Sequence, residues 1–92
     1  MKIAFHRAAH RDLAGIRSYI ARDNPSAAAD VIARIKAVAE RLANNPHMGR
    51  PGPRGTRLMS APGLPYILIY RVGTQAISVV AVFHTARNRS FR

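Results

Sequence analysis

The chain contains no cysteine. This absence excludes a disulfide framework and a zinc site with thiolate ligands, and it is compatible with a reducing compartment. No segment approaches the roughly 20 apolar residues that a membrane-spanning helix needs. The first residues, MKIAFHRAAHRDL, lack the apolar core and the cleavage site of a secretory signal. From these absences we expect a soluble, cytoplasmic protein with no membrane partner.

Negative charge is also scarce. Four acidic residues oppose fifteen lysines and arginines, which gives a formal net charge of +11. Thirteen of these cations are arginine, and no carboxylate follows Glu40. A surface of one sign attracts polyanions and accelerates the encounter with acidic partners. The charge therefore predicts an anionic partner, either a nucleic acid or an acidic protein.

Internal repeats and low-complexity tracts are missing too, so we expect one domain over residues 1–92. The segment KIAFH predicts a first strand, and apolar residues then recur at helical spacing over 8–22 and 28–42. Asn24 is placed to cap the second helix, with Pro25 as its first residue. The short link between the two helices predicts an antiparallel helical hairpin.

The second half of the chain predicts a sheet. The stretch NNPHMGRPGPRG ends the second helix, and an asparagine in a left-handed conformation is the expected cap. Strands are predicted over 56–60, 66–72 and 76–84, with a tight hairpin at Gly73-Thr74-Gln75. Strand 66–72 is apolar on both faces, so we expect it at the centre of the sheet. The order β-α-α-β-β-β predicts an α+β domain in which the helical hairpin packs on a small, mostly antiparallel sheet.

The histidines and two tyrosines could serve as ligand-binding residues, but their positions in the sequence predict structural roles for most of them. The four histidines are scattered, so no metal site is predicted, and His6, His10 and His47 are expected at the surface. Tyr66 and Tyr70 lie four residues apart on a predicted strand and therefore share one face. We expect these tyrosines to pack in the core or on the sheet, and base stacking is the alternative.

Three stretches carry a resemblance to the RelE/ParE superfamily, the toxins of bacterial type II toxin–antitoxin systems. RDLAGIRSYIARDNPSAAADVIARI is similar to the helical hairpin of that family, and NNPHMGRPGPRGTRLM to the segment leading into its sheet. PYILIYRVGTQAISVVAVFHTAR resembles the central hairpin and the closing His-x-Ala-Arg sequence. The resemblance spans nearly the whole chain and implies the RelE/ParE-like fold and a toxin that a cognate antitoxin neutralises.

The superfamily contains two activities. RelE-like members cleave messenger RNA in the ribosome, whereas ParE-like members poison DNA gyrase. The sequence HTAR resembles the ParE branch, and the chain lacks the C-terminal tyrosine of RelE-like nucleases. We therefore expect a gyrase poison rather than an enzyme. A ribosome-dependent mRNA endoribonuclease is the first alternative, and a basic nucleic-acid-binding module without toxicity is the second.

A nuclease would need a base, an acid and cations around the phosphate. Because no carboxylate follows Glu40, the base would be a histidine, a tyrosine or a lysine; His84 is the first candidate, and a histidine bound to a backbone carbonyl is the structural alternative. Arg57, Arg87 and Arg89 are the candidate phosphate ligands, since guanidinium groups bind phosphate in a fork. The resemblance implies this role for Arg57 and for either Arg87 or Arg89.

The resemblance also implies the partners. We expect an acidic, amphipathic, ParD-like antitoxin that forms a hetero-oligomer with the chain, and no cofactor. DNA gyrase is the expected target, and the ribosome with its messenger RNA takes that place in the RelE-like alternative. The antitoxin carboxylates are expected to meet Arg50, Arg54, Arg57 and Arg71. The target, gyrase or its bound DNA, is expected to meet Arg87, Arg89 and Arg92.

Overall fold

The computed structural model describes residues 1–86. Its elements, in chain order, are β1 (Lys2–Phe5), α1 (Arg7–Ala21), α2 (Pro25–Asn44), β2 (Arg50–Pro51), a 3-10 turn (Pro53–Gly55), β3 (Arg57–Ser60), β4 (Tyr66–Val72) and β5 (Ala76–His84). The predicted helical hairpin and α+β class are confirmed, and the predicted bounds of β1, α1, β3, β4 and β5 agree with the structure to within one residue. α2 begins at the predicted Pro25 and ends two residues beyond the predicted apolar stripe. Neither helix in this part of the chain is long and apolar enough to cross a membrane.

The described strands form one sheet in the order β1-β5-β4-β3-β2. β1 runs parallel to β5, and the other neighbouring strands are antiparallel. The central place of β4 and the mostly antiparallel sheet are therefore confirmed. The prediction missed β2, an edge strand of two residues. A strand this short has no detectable periodicity, and its proline is tolerated because it lies at an edge.

The two ends of α2 are capped differently: the N-cap is the predicted one, and the C-cap is not. At the start, the side-chain oxygen of Asn24 accepts a hydrogen bond from the backbone N–H of Ala27 at 3.0 Å, as predicted for an N-cap. At the end, the predicted left-handed cap is wrong, because Asn45 has φ −140° and ψ 67°. Pro46 follows Asn45 directly, and the ring of a proline pushes the preceding residue out of the helical region. The helix therefore ends without a left-handed residue.

Both helices pack on one face of the sheet. The core there contains side chains from α1, α2, β4 and β5, among them Leu13, Ile35, Leu42, Leu68, Tyr70, Ile77, Val79 and Val82. Because side chains alternate along a strand, Ile67 and Ile69 point to the opposite face, which the helices do not cover. Ile69 lies between Leu58 of β3 and Ala81 of β5 in the strand register and is only 2% exposed. The second face of the sheet is thus apolar at its centre.

Candidate functional site

A buried tyrosine fixes the loop between α2 and β2. The hydroxyl of Tyr70 donates to the carbonyl oxygen of Pro46 at 2.7 Å and accepts the N–H of Gly49 at 2.9 Å. A Cβ atom at position 49 would lie 2.6 Å from the Tyr70 hydroxyl and 2.7 Å from the carbonyl oxygen of Leu58. Only glycine therefore allows this approach of the loop to the sheet.

Arg57 holds the same loop from β3. Its Nη1 atom donates to the carbonyl oxygens of Gly49 at 2.7 Å and His47 at 3.4 Å. Arg57 pairs with Tyr70 across the sheet, so both side chains lie on the same face. The half-buried guanidinium of Arg57 is thus engaged by the protein itself, and it positions the loop that leads to Arg50.

The other three predicted antitoxin-binding arginines lie together near the helix-free face. Arg50 pairs with Leu58, which pairs in turn with Ile69. Arg71 follows Ile69 by two residues and shares its face. Its Nη2 atom donates to the carbonyl oxygen of Arg54 at 3.3 Å. We call Arg50, Arg54 and Arg71 the arginine rim, and the structure places Arg57 on the other face of the sheet.

Arg54 has an unusual backbone. Its φ of 57° and ψ of 38° are left-handed, and it is the one non-glycine residue with positive φ within residues 1–86. A left-handed arginine costs roughly 1–2 kcal/mol. Hydrogen bonds of the turn hold this conformation: the Gly52 N–H donates to the carbonyl of Thr56 at 2.8 Å, and Arg71 donates to the carbonyl of Arg54 at 3.3 Å. The side chain of Arg54 is exposed.

His84 lies at the end of β5, as predicted, but its partner differs from the expected one. The Nδ1 atom accepts a hydrogen bond from the backbone N–H of Ala86 at 3.1 Å, rather than donating to a carbonyl. The ring also contacts Tyr66 edge-on, with 5.4 Å between the ring centroids and an interplanar angle of 90°. With Nδ1 as an acceptor, the proton of the neutral imidazole resides on Nε2.

A groove of about 420 Å³ separates α1 from the end of β5. His84 and Tyr66 line it on the sheet side, and Arg11 and Tyr19 line it on the helix side. The contact of these helix residues with the groove beside His84 was not predicted from the sequence. Their spacing of eight residues, two helical turns, was the available signal that Arg11 and Tyr19 share a face.

Asp12 lines the same groove and joins α1 to β5. One carboxylate oxygen accepts the backbone N–H of Val82 at 2.8 Å. The parallel ladder between β1 and β5 ends at Val79, so Asp12 satisfies a strand donor beyond the end of β1. The carboxylate is therefore turned towards the sheet, which leaves the outer surface of α1 without negative charge.

Of the predicted nuclease residues, the structure describes Arg57 and His84, and these two lie apart. Arg57 pairs with Tyr70, and His84 pairs with Tyr66, four residues earlier on β4. At 3.3 Å per residue this separates the two pairs by about 13 Å along the strand. Arg87, Arg89 and Arg92 lie outside the described residues.

Comparison with known proteins places this arrangement in a family. The profile of the family described as "ParE toxin of type II toxin-antitoxin system, parDE" matches residues 3–89. Y4kP of Sinorhizobium fredii (strain NBRC 101917 / NGR234) is 40% identical over 75 residues, covering 80% of this chain and 77% of that protein. Toxin RelE2 of Caulobacter vibrioides (strain ATCC 19089 / CIP 103742 / CB 15) is 36% identical over 77 residues, covering 83% and 85%.

A solved structure supports the fold. A chain in the chromosomal ParDE TA system from P. aeruginosa superposes with a TM-score of 0.80 at 24% identity, over 91% of this chain and 95% of that one. At this identity the likeness concerns the fold. It agrees with the two helices packed on a mixed sheet described above.

Proposed function

Because the chain belongs to the ParE toxin family of type II toxin–antitoxin systems, we propose that it arrests growth by poisoning DNA gyrase and that an acidic antitoxin neutralises it. The observation that supports gyrase over messenger RNA is the separation of Arg57 from His84 along β4. A phosphate undergoing cleavage needs its base and its cations around one atom. Arg57 is also engaged by loop carbonyls instead of facing an open site.

The arginine rim is the proposed antitoxin surface. Arg50 and Arg71 lie on the face that the helices leave open, near the half-buried apolar side chains of Leu58 and Ile67, and Arg71 bonds the carbonyl of Arg54. An acidic amphipathic segment would cover these half-buried side chains and place its carboxylates on the rim, whereas Ile69 is already buried by the chain itself. Arg57 contributes indirectly by holding the loop before Arg50.

Removing two rim charges tests this surface. We expect the double variant Arg50→Gln, Arg71→Gln to bind the antitoxin with an affinity lower by about tenfold or more, and with a weaker dependence on salt. The matched control is Arg34→Gln, Arg41→Gln, which removes the same charge from α2 and which we call the flank pair. Calorimetric titration at low and high salt measures both effects. An equal loss in both double variants, or an affinity of the unmodified chain that salt does not change, would rule out the rim.

Removal of residues 87–92 and removal of the His84 side chain should have different effects on growth. Residues 87–92 include three arginines, and we expect their deletion to weaken toxicity while antitoxin binding survives. His84→Ala removes an acceptor for the Ala86 N–H and a ring contact with Tyr66, so we expect a stability loss of about 1–3 kcal/mol. Toxicity should fall only as far as folding does. His47→Ala, at an exposed loop position, is the control.

The assay is induction of each variant alone in a bacterium, at matched protein levels and with melting curves. The unmodified chain should cause filamentation and the DNA-damage response while bulk translation continues at first. A folded, non-toxic His84→Ala protein beside a fully toxic deletion of residues 87–92 would reverse the two assignments. Prompt loss of protein synthesis, with cuts in ribosome-bound messages, would replace gyrase by mRNA as the target.

Messenger-RNA cleavage is the second candidate function because of the groove beside α1. There His84 lies next to the Tyr66 ring, and Arg11 lines the opposite wall. These residues would supply a base, an acid and a cation, and Tyr66 would replace the phenol that the C-terminal region lacks.

A further inference from the structure

The outer surface of α1 carries positive charge only. Arg7, Arg11 and Arg17 are exposed along the helix. The single carboxylate of α1, on Asp12, accepts the N–H of Val82 and points to the sheet. This surface lies away from the helix-free face where the arginine rim is located, so its charge is not explained by the proposed antitoxin site.

A groove of about 300 Å³ runs between α1 and α2 on this side of the molecule. Its walls carry His10 and Arg17 from α1 and Lys36 from α2, and no carboxylate lines it. Arg17 and Lys36 have no hydrogen-bond or ion-pair partner within the described part of the chain. We call this the hairpin groove, defined by His10, Leu13, Ala14, Arg17, Ser18, Ile32 and Lys36.

The side chains that line the hairpin groove disfavour a protein helix and single-stranded nucleic acid as ligands. Leu13 is 6% exposed and Ile32 is 4% exposed, so the groove offers little apolar surface that a protein helix could bury. It contains no tyrosine, phenylalanine or tryptophan on which the bases of a single strand could stack. The small side chains of Ala14 and Ser18 leave room for close approach, and the Ser18 hydroxyl is a donor for an anionic oxygen.

The polar side chains of the groove are spaced to reach more than one phosphate. His10 and Arg17 lie seven residues apart on a helix, or about 10.5 Å along its axis. Neighbouring phosphates of one DNA strand rise by about 3.4 Å along the duplex axis and lie farther apart through space, so this length spans at least two neighbouring phosphates. Lys36 reaches the same groove from the second helix. Glu40, one turn beyond Lys36, lies outside the groove and limits the positive surface at that end.

We propose that the hairpin groove binds the phosphate backbone of double-stranded DNA, with Arg17 and Lys36 on phosphate oxygens. The contacts are to the backbone alone, so binding is independent of base sequence. The choice of DNA over RNA rests on the proposed gyrase target, which acts on DNA. The preference for a phosphate backbone follows from the charge and shape of the groove.

Fluorescence anisotropy of the full-length toxin with a labelled 20-base-pair DNA duplex, between 50 and 200 mM salt, tests the proposal. With two or three phosphate contacts, the slope of log K against log salt should be about −2 to −3. Arg17→Gln, Lys36→Gln should make this slope less negative by about 2 and lower the affinity at least tenfold. The flank pair, which removes the same charge from the other side of α2, should change both quantities much less. Melting curves confirm that both double variants fold.

Several results would overturn the proposal. An equal loss of binding in the flank pair would mean that only net charge attracts DNA. Equal or tighter binding of an RNA duplex would show that the groove does not prefer DNA. Full competition by polyglutamate at equal charge would indicate that the ligand is an acidic protein. The assay contains no gyrase, so its failure leaves the proposed target unaffected. Conversely, a negative gyrase assay would leave duplex binding by the groove standing.

Discussion

Gly49→Ala should destabilise the fold more than any other single methyl group added at a described glycine. The new Cβ would meet the Tyr70 hydroxyl at 2.6 Å and the backbone carbonyl of Leu58 at 2.7 Å. Neither can withdraw, because Tyr70 is fully buried and Leu58 is paired on both sides in the sheet. Overpacking of this kind costs about 1–3 kcal/mol and here belongs at the upper end. For a domain of this size we expect Tm to fall by about 10 °C or more.

Gly15→Ala is the matched control for this substitution. Gly15 is exposed on α1, and apart from its chain neighbours and the nearby helix backbone no atom lies within 4 Å of the position its Cβ would take. Alanine is favoured over glycine in a helix interior, so this variant should gain about 0.5–1 kcal/mol. Thermal melts of both proteins make the comparison. A Gly49→Ala protein that melts at the unmodified temperature would show that the loop does not lie against Tyr70.

Tyr70→Phe should destabilise the fold by an amount comparable to Gly49→Ala. The substitution keeps the ring in the core but removes the hydroxyl that pairs with both the Pro46 carbonyl and the Gly49 N–H. Leaving a buried backbone donor and an acceptor unpaired costs about 1–3 kcal/mol each, so we expect a loss of about 2–4 kcal/mol. Denaturant unfolding at constant slope measures it.

Tyr66→Phe provides the comparison on the same strand. The Tyr66 hydroxyl has no hydrogen-bond partner within residues 1–86, so its removal should change stability by less than about 1 kcal/mol. Equal losses at positions 66 and 70 would mean that the hydroxyl of Tyr70 adds nothing beyond the packing of its ring.

Much of the fold could be predicted because its signals are local. The apolar stripes of α1 and α2, the Asn24 cap and the proline at position 25 each act within a few residues. The alternation in β4 and β5, together with the tight connection between them, fixes the central hairpin in the same way. The burial of Tyr66 and Tyr70, predicted from their shared face, is confirmed.

The candidate site was harder to predict because it depends on register. Arg57 and Leu58 are adjacent in a strand and therefore face opposite sides of the sheet. Only the pairing with β4 shows which side each one faces. Arg57 therefore lies on the helix-covered face of the sheet, opposite Arg50 and Arg71, with which it was grouped from the sequence. The bonds of the Tyr70 hydroxyl are equally non-local, since they join residues 21 and 24 positions apart. Such contacts leave no periodic pattern in the amino-acid sequence from which they could be predicted.

The proposed poisoning of DNA gyrase is tested by adding the purified chain to gyrase, ATP and relaxed plasmid DNA. We predict that the toxin blocks supercoiling and traps gyrase-dependent DNA breaks, that deletion of residues 87–92 weakens this effect, and that the acidic antitoxin reverses it. Gyrase that remains fully active at excess toxin, while the same preparation cuts messenger RNA on ribosomes, would contradict the account.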